Sequence, residues 1–419
     1  MAHSPVRPRN DLPAAPAIHR QACDGIGYTI AELNDVEHVF AAAAPRGGQT
    51  LDEQASDALQ IIKTVNGLHG SADSIVHQAV FVSDAGLIPR CQQIMREFYG
   101  PNMPATSFIP QPPCDGRLLA IEALGMSRKS GEVRIDRLGE QLVTVQHNGI
   151  TWIHVAHVVP QCDFRLAYEQ ACSAFECLRT LLESAHTRMG QILRTWIYQG
   201  SIVAPEGTTQ RYKELNRARG DAYKGISFLA DRLPKCHPSV VYPASTGIGT
   251  LGDSISISAI ALATERKDIV AVPLENPRQT SAYQYGATYS PKAPMFARGM
   301  AVSCGNMATI FISGTASITH SETLHTGDAA AQTHETLHNI EALIGEENLG
   351  RHGLPGLGTS LEGLGYVRVY IKRQEDYARV RAVCEKRLGE LPAIYAIADV
   401  CRPELLVEIE GMAISYKQN

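Results

Sequence analysis

The chain has 419 residues, of which 44% are hydrophobic and 19% charged, and a net charge of -5. This is enough apolar material for roughly two to four packed domains. The charge balance excludes the basic face of a general nucleic-acid binder, and no run reaches the ~18 apolar residues of a membrane span. The ten cysteines are scattered, with no CxxC pair and no zinc spacing, and read as free thiols of a reducing cytoplasm.

Residues 1–22 are rich in Pro, Ala and Arg and lack the apolar core of a signal peptide, so the expectation is a loose arm. Val36–Ala44 then reads as a strand. Leu51–Leu68 carries apolar residues at helical spacing and ends at Gly67 and Gly70. Ser74–Ser83 reads as a strand, Leu87–Tyr99 as a helix, and Thr106–Pro110 and Leu118–Leu124 as two strands. The order is β-α-β-α-β-β.

That order returns twice. In the second span, Trp152–Val158, Ile192–Tyr198, Val240–Pro243 and Ile255–Ala263 read as strands, and Arg165–Ala185 and Tyr212–Leu229 as helices. In the third, Ala308–Ile318, Tyr366–Ile371, Ile394–Ala398 and Leu405–Ile414 read as strands. Ala329–Ile344, with Asp328 as its cap, and Tyr377–Leu388, ended by Gly389, read as helices. Gly345–Gly365 reads as a surface loop. A period above 100 residues means duplicated domains: an arm at 1–22, then units at 23–130, 131–275 and 276–419. The fold class expected is α+β, three such units making a pseudo-trimer.

The last strand carries Glu408 and Glu410 on one face and Val407 and Ile409 on the other. The two carboxylates are either a solvated edge or an acid in a pocket. The repeat separates them. Ala120-Ile-Glu-Ala123 occupies the place of Glu408-Ile-Glu-Gly411, so Glu410 has a counterpart in Glu122, whereas Glu408 meets Ala120. The second unit reads Ser258-Ala-Ile-Ala-Leu-Ala263 there. A feature kept in one copy of three points to a site.

The unit with its LVEIEG-like last strand resembles the RidA/YjgF family, whose members form homotrimers with sites in the clefts between subunits. The second half resembles the chorismatases, of the FkbO and 3-hydroxybenzoate synthase types. The likeness rests on Tyr212-Lys-Glu-Leu-Asn-Arg-Ala-Arg219, Tyr283-Gln-Tyr285, Tyr289-Ser-Pro291, Phe296-Ala-Arg298, Ile312-Ser-Gly-Thr-Ala-Ser317, His325-Thr-Gly-Asp328 with Gln332-Thr333, and Cys401-Arg402 with Leu405-Leu-Val-Glu-Ile-Glu410. It spans roughly residues 150–419. Gly314 and Cys401 stand where the family divides by product; FkbO-type hydrolases carry alanine at the first, and Gly with Cys is similar to the 3-hydroxybenzoate synthase type. The arginine with which RidA-type deaminases hold a carboxylate is replaced by Ala393, so that activity is not implied.

The resemblance implies cleavage of the enolpyruvyl ether of chorismate. A carboxyl in an apolar setting stays protonated near neutral pH, and Glu408 is the expected general acid. Arg298 and Arg219 are the expected partners of the two substrate carboxylates; Arg219 reads equally as one of a solvated basic face with Arg211 and Arg217. Tyr285 and Tyr212 are candidate hydrogen-bond donors. Gly314 leaves room for the ring or marks a bulge. Cys401, beside Arg402, has a lowered pKa or is a small buried hydrophobe. No cofactor and no metal are expected; His325, His334 and His338 read as a solvated face. The expected partner is chorismate, with neither nucleic acid nor membrane, and the expected state a cytoplasmic monomer. Alternatives are a chorismate hydrolase, a mixed 3-/4-hydroxybenzoate synthase, and a RidA-like binding protein without catalysis.

Overall fold

The computed structural model describes residues 18–23, 25–68, 72–127, 133–234, 240–286 and 292–417. Residues 1–17 of the arm, Gly70, Cys236 and Tyr289-Ser-Pro291 lie outside them. The first unit runs β1 (His19–Cys23), β2 (Ile26–Leu33), β3 (Val36–Ala43), α1 (Leu51–Leu68), β4 (Ile75–Val82), α2 (Ile88–Tyr99), β5 (Ala105–Ile109) and β6 (Leu119–Ser127). The second runs β7 (Arg134–Arg137), β8 (Leu142–His147), β9 (Ile150–Val158), α3 (Ala167–Ser184), β10 (Ile192–Gly200), α4 (Arg211–Ala222), β11 (Ala244–Thr250) and β12 (Ile255–Thr264). The third runs β13 (Ile269–Leu274), β14 (Gly299–Cys304), β15 (Met307–Ala316), α5 (Ala329–Ile344), α6 (Glu346–Arg351), β16 (Leu364–Ile371), α7 (Tyr377–Leu388), β17 (Ala393–Ile397) and β18 (Val407–Tyr416).

Each unit makes one six-stranded sheet, and the strand order is the same in all three: β1-β2-β3-β6-β4-β5, β7-β8-β9-β12-β10-β11 and β13-β14-β15-β18-β16-β17. Only the pairs β4–β5, β10–β11 and β16–β17 are parallel, each joined by a crossover helix. The units are therefore β-β-β-α-β-α-β-β, two strands longer than the sequence pattern showed. In each unit the first of the two extra strands is a sheet edge and the second lies inside it; the edge strand β7 has three charged residues out of four and so no apolar alternation. β1 turns the end of the expected arm into an edge strand, and β13 begins at Ile269, inside the span 131–275.

Three local expectations are corrected. Val240–Pro243 is not a strand; the strand follows it at Ala244–Thr250. The helix expected to reach Leu229 stops at Ala222 and gives way to turns. The Gly345–Gly365 loop contains the short helix α6. Elsewhere the local signals hold: Asp328 caps α5, accepting from the Ala331 N–H at 3.0 Å, and Gly389 ends α7 with φ +61°.

Helices cover one face of each sheet. Ala55, Leu59 and Ile62 of α1 and Met95 of α2 pack with Val80 and Ile121. The uncovered faces turn toward each other and bury Phe81, Trp196 and Tyr370, one from each unit, in a common cluster. Burial of aromatic surface there holds the units as one body. Two ion pairs cross the same centre. Arg368 binds Glu122 at 2.7 and 2.8 Å and Tyr198 Oη at 2.8 Å. Glu410 accepts from Arg194, Thr246, Arg368 (3.2 Å) and Tyr370 (2.6 Å). Two arginines and two glutamates balance, which offsets the cost of taking them out of water. Among the described residues no helix is long and apolar enough to cross a membrane.

Candidate active site

A cavity of about 530 Å³ opens between the second and third units. Its size suits a small organic ligand. β18 supplies Glu408, which pairs with Ala316 of β15 and Tyr370 of β16. The solvated-edge reading does not hold for either carboxylate: Glu408 is 5% exposed and Glu410 1%. Their roles differ. Glu410 is spent on the central ion network. The Glu408 carboxyl makes no hydrogen bond or ion pair among the described residues and lines the cavity. Burial, and then the neighbouring Glu410 charge, push its pKa up to about 8, against the pull of Arg194 and Arg298. At neutral pH it holds its proton.

Gly314 lies in an irregularity of β15, where the register with β18 shifts between Ile312 and Thr315. Both readings of this glycine apply, since the bulge brings its Cα against Glu408. A methyl group there would overlap Glu408 Oε1, stand 2.9 Å from Cδ, and come within 3.1 Å of Thr246 Cγ2. The Gly314 N–H donates to Thr246 Oγ1 at 2.9 Å. The backbone is thus pinned while the side-chain space goes to the acid.

Arg298 is 4% exposed; its Nη2 donates to Thr280 O at 2.9 Å and Tyr285 Oη at 2.6 Å. Arg219 is 1% exposed, bonded to Asn216 and, at 3.4 Å, to Ser245 Oγ. The solvated-face reading of Arg219 fails, because α4 turns it and Arg211 inward and leaves only Arg217 exposed. Both guanidiniums stand about the Phe296 ring, at 5.4 and 5.5 Å. Neither has a carboxylate partner among the described residues, and each keeps a buried Nε without an acceptor. Glu275 accepts the Arg298 backbone N–H, and burial raises its own pKa to about 7. Two buried cations without counter-ions are costly, and a bound anion relieves that cost. Arg298 is part of the cavity wall; Arg219 backs it through Ser245.

Tyr212 and Tyr285 both line the cavity. Burial raises the Tyr212 pKa, so it stays a neutral donor. Cys401 also lines it, and the expectation of a lowered pKa is reversed: burial, then the Glu408 charge, push the thiol up to about 12 despite Arg402 and Arg298. The thiol is a polar wall atom, not a thiolate. Arg402 was missed as a site residue, although it follows Cys401 in the same motif. It lines the cavity, donates to Ser321 O at 2.9 Å and lies 5.4 Å from the Tyr285 ring. Ser245, Thr246 and Arg194 were also missed; they come from the second unit and carry no local signal. Among the described residues no three of His, Cys, Asp and Glu converge as metal ligands, and His325, His334 and His338 are exposed. The arrangement can hold an anionic ligand against a protonated carboxyl and deliver that proton.

No family model matches the chain. It is 32% identical to a 3-hydroxybenzoate synthase of Streptomyces hygroscopicus over 278 residues, which is 65% of this chain and 76% of that protein. It is 35% identical to a chorismatase of Streptomyces rapamycinicus over 227 residues, 53% of this chain and 63% of the relative. A RutC family protein of Pyrococcus horikoshii is 31% identical over 132 residues, 31% of this chain and 93% of its own. A solved chorismatase structure superposes with a TM-score of 0.63 over 95% of this chain and 100% of its own, at 22% identity, a likeness of fold.

Proposed function

The chain belongs to the chorismatase family, and from that premise we propose that it cleaves chorismate to 3-hydroxybenzoate and pyruvate, with Glu408 as general acid. The observation that carries this reading is the protonated Glu408 carboxyl in a cavity beside buried guanidiniums that lack carboxylate partners. Chorismate brings two carboxylates, which Arg298 and Arg402 at the wall receive, with Arg219 behind Ser245 adding positive potential. Tyr212 and Tyr285 orient the ring hydroxyl and the carboxylates.

Glu408 gives its proton to the methylene carbon of the enol ether, leaving an oxocarbenium-like centre. The ring hydroxyl oxygen then attacks the neighbouring ring carbon, and the bond from that carbon to the pyruvyl oxygen breaks. The hydroxyl proton returns to the Glu408 carboxylate. The arene-oxide-like product opens and loses a ring proton as a ring oxygen gains one, giving the aromatic acid. Atoms balance without water, and the acid is regenerated. Three units in one chain complete the ring of sheets, so the reading includes a monomer, which sedimentation checks.

Incubation of pure protein with chorismate tests the reading. Pyruvate with aromatic 3-hydroxybenzoate is the expected result. Pyruvate with a non-aromatic dihydroxy acid makes the chain a hydrolase, and no turnover makes it a binding protein. The pH profile is a second check. The acid works only when protonated, so kcat/KM is flat below pH 8 and falls about tenfold per unit above it. A rate that rises through pH 8 would assign Glu408 as a base. A third concerns Gly314→Ala. The added methyl displaces the Glu408 carboxyl, so kcat drops by about tenfold or more and the hydrolysed share of product rises. Unchanged product ratios count against Gly314 as the specificity position.

A further inference from the structure

The common strand order equates positions across the units. Glu408 stands opposite Tyr370, as Ala120 stands opposite Phe81 and Ser256 opposite Tyr198. The three sheets leave three clefts, each walled by the last strand of one unit and the parallel edge strand of the next. In the catalytic cleft the second wall is α4 and β11, with Tyr212, Asn216 and Arg219 at i, i+4 and i+7 and Ser245 and Gly247 on the strand. In the cleft between the first and third units it is α7 and β17, with Tyr377, Arg381 and Cys384 at the same spacing and Ala393 and Tyr395 on the strand.

The two non-catalytic clefts have diverged. Between the first and second units, His157 takes the register position of Gly314. Its ring meets Phe108 edge-on at 5.6 Å, and Ser258 Oγ bonds Ser107 Oγ at 2.6 Å. Side chains fill that cleft, as interiors generally are filled. Between the first and third units the Gly314 position is Ala42 and the Glu408 position is Ala120, and a cavity of about 880 Å³ stays open, larger than the catalytic one. Its wall combines apolar Leu388, Leu391 and Ile394 and the Tyr377 and Tyr395 rings with three arginines. Arg46 is paired with Asp57, and Arg381 with Glu385. The Arg117 guanidinium donates to the Arg46 carbonyl oxygen, at 3.2 Å, and makes no ion pair among the described residues, while its backbone N–H donates to Asp115 Oδ1 at 3.2 Å. Asp115 is at the same mouth but exposed.

We propose that this cleft is a second ligand site, which binds a small ring-bearing carboxylate and does not convert it. The apolar wall and tyrosine rings take the ring, and the Arg117 guanidinium takes the carboxylate. Conversion fails because Ala120 has no proton to give. The site does not depend on the identity of the catalytic substrate. Equilibrium dialysis of the full chain with benzoate, and separately with 3-hydroxybenzoate, tests it. The wild type is expected to bind, and Arg117→Ala to weaken one equivalent per chain by about tenfold. Ala120→Trp is expected to abolish the same equivalent by filling the cleft. Arg117 is half-buried at the cleft mouth, so its variant keeps the test decisive if Ala120→Trp does not fold. No binding to the wild type, or binding that Arg117→Ala leaves unchanged in number and affinity, overturns the proposal.

Discussion

Glu408→Gln is expected to lower kcat for chorismate by about 10²–10⁴-fold while the fold stays intact. The amide fills the space of the carboxyl but has no acidic proton at neutral pH. The fold is spared because Glu408 makes no hydrogen bond or ion pair among the described residues. Stability adds a sign that a merely structural residue would not show. The folded pKa, about 8, is above the ordinary carboxyl value of 4.5. The folded state therefore holds the proton more tightly than the unfolded chain. The stability this contributes is full below about pH 4.5 and is lost as pH rises through 8. Thermal denaturation at pH 6 and pH 9 reads this directly: relative to wild type, Glu408→Gln gains stability at the higher pH. A wild-type rate in this variant would end the assignment of Glu408 as the acid.

Glu410→Ala should act on stability first, lowering it by about 3–5 kcal/mol, read as a lower urea midpoint. The substitution leaves Arg194 fully buried with Thr246 and no carboxylate, while Arg368 keeps Glu122 and Tyr198. Replacing both partners, Glu410→Met with Arg194→Leu, should recover most of the loss, because the penalty belongs to the stranded charge. The milder Glu410→Gln should also move the catalytic pH edge downward, since the Glu410 charge is the second largest cause of the raised Glu408 pKa. An unfolding free energy within about 0.5 kcal/mol of wild type for Glu410→Ala would mean that the central network contributes nothing net.

The legible parts of the sequence were those with a strong local period. The span Leu51–Leu68 follows from apolar spacing, although the helix runs through Gly67, and Ala329–Ile344 and Tyr377–Leu388 follow from apolar spacing with the flanking signals Asp328 and Gly389. Edge strands such as Arg134–Arg137 were not legible, because a half-solvated strand needs no apolar alternation. Glu408 was legible by comparing the chain with itself, as a carboxylate kept in one repeat of three, and by the resemblance of its motif.

The sequence by itself determined the repeat, most of the helices and the resemblance, and singled out Glu408 as the candidate acid, since each is a pattern along the chain. The tertiary structure alone decided which charges are buried and with whom. Arg194 and Glu410 are 216 residues apart and Arg368 and Glu122 are 246 apart, and no local period reports such pairs. It also decided that the Cys401 thiol is raised and not lowered, because desolvation by residues from two units outweighs the adjacent Arg402. The three repeats share one strand order, yet only the packing between them shows one cleft filled, one open without an acid, and one holding a protonated Glu408.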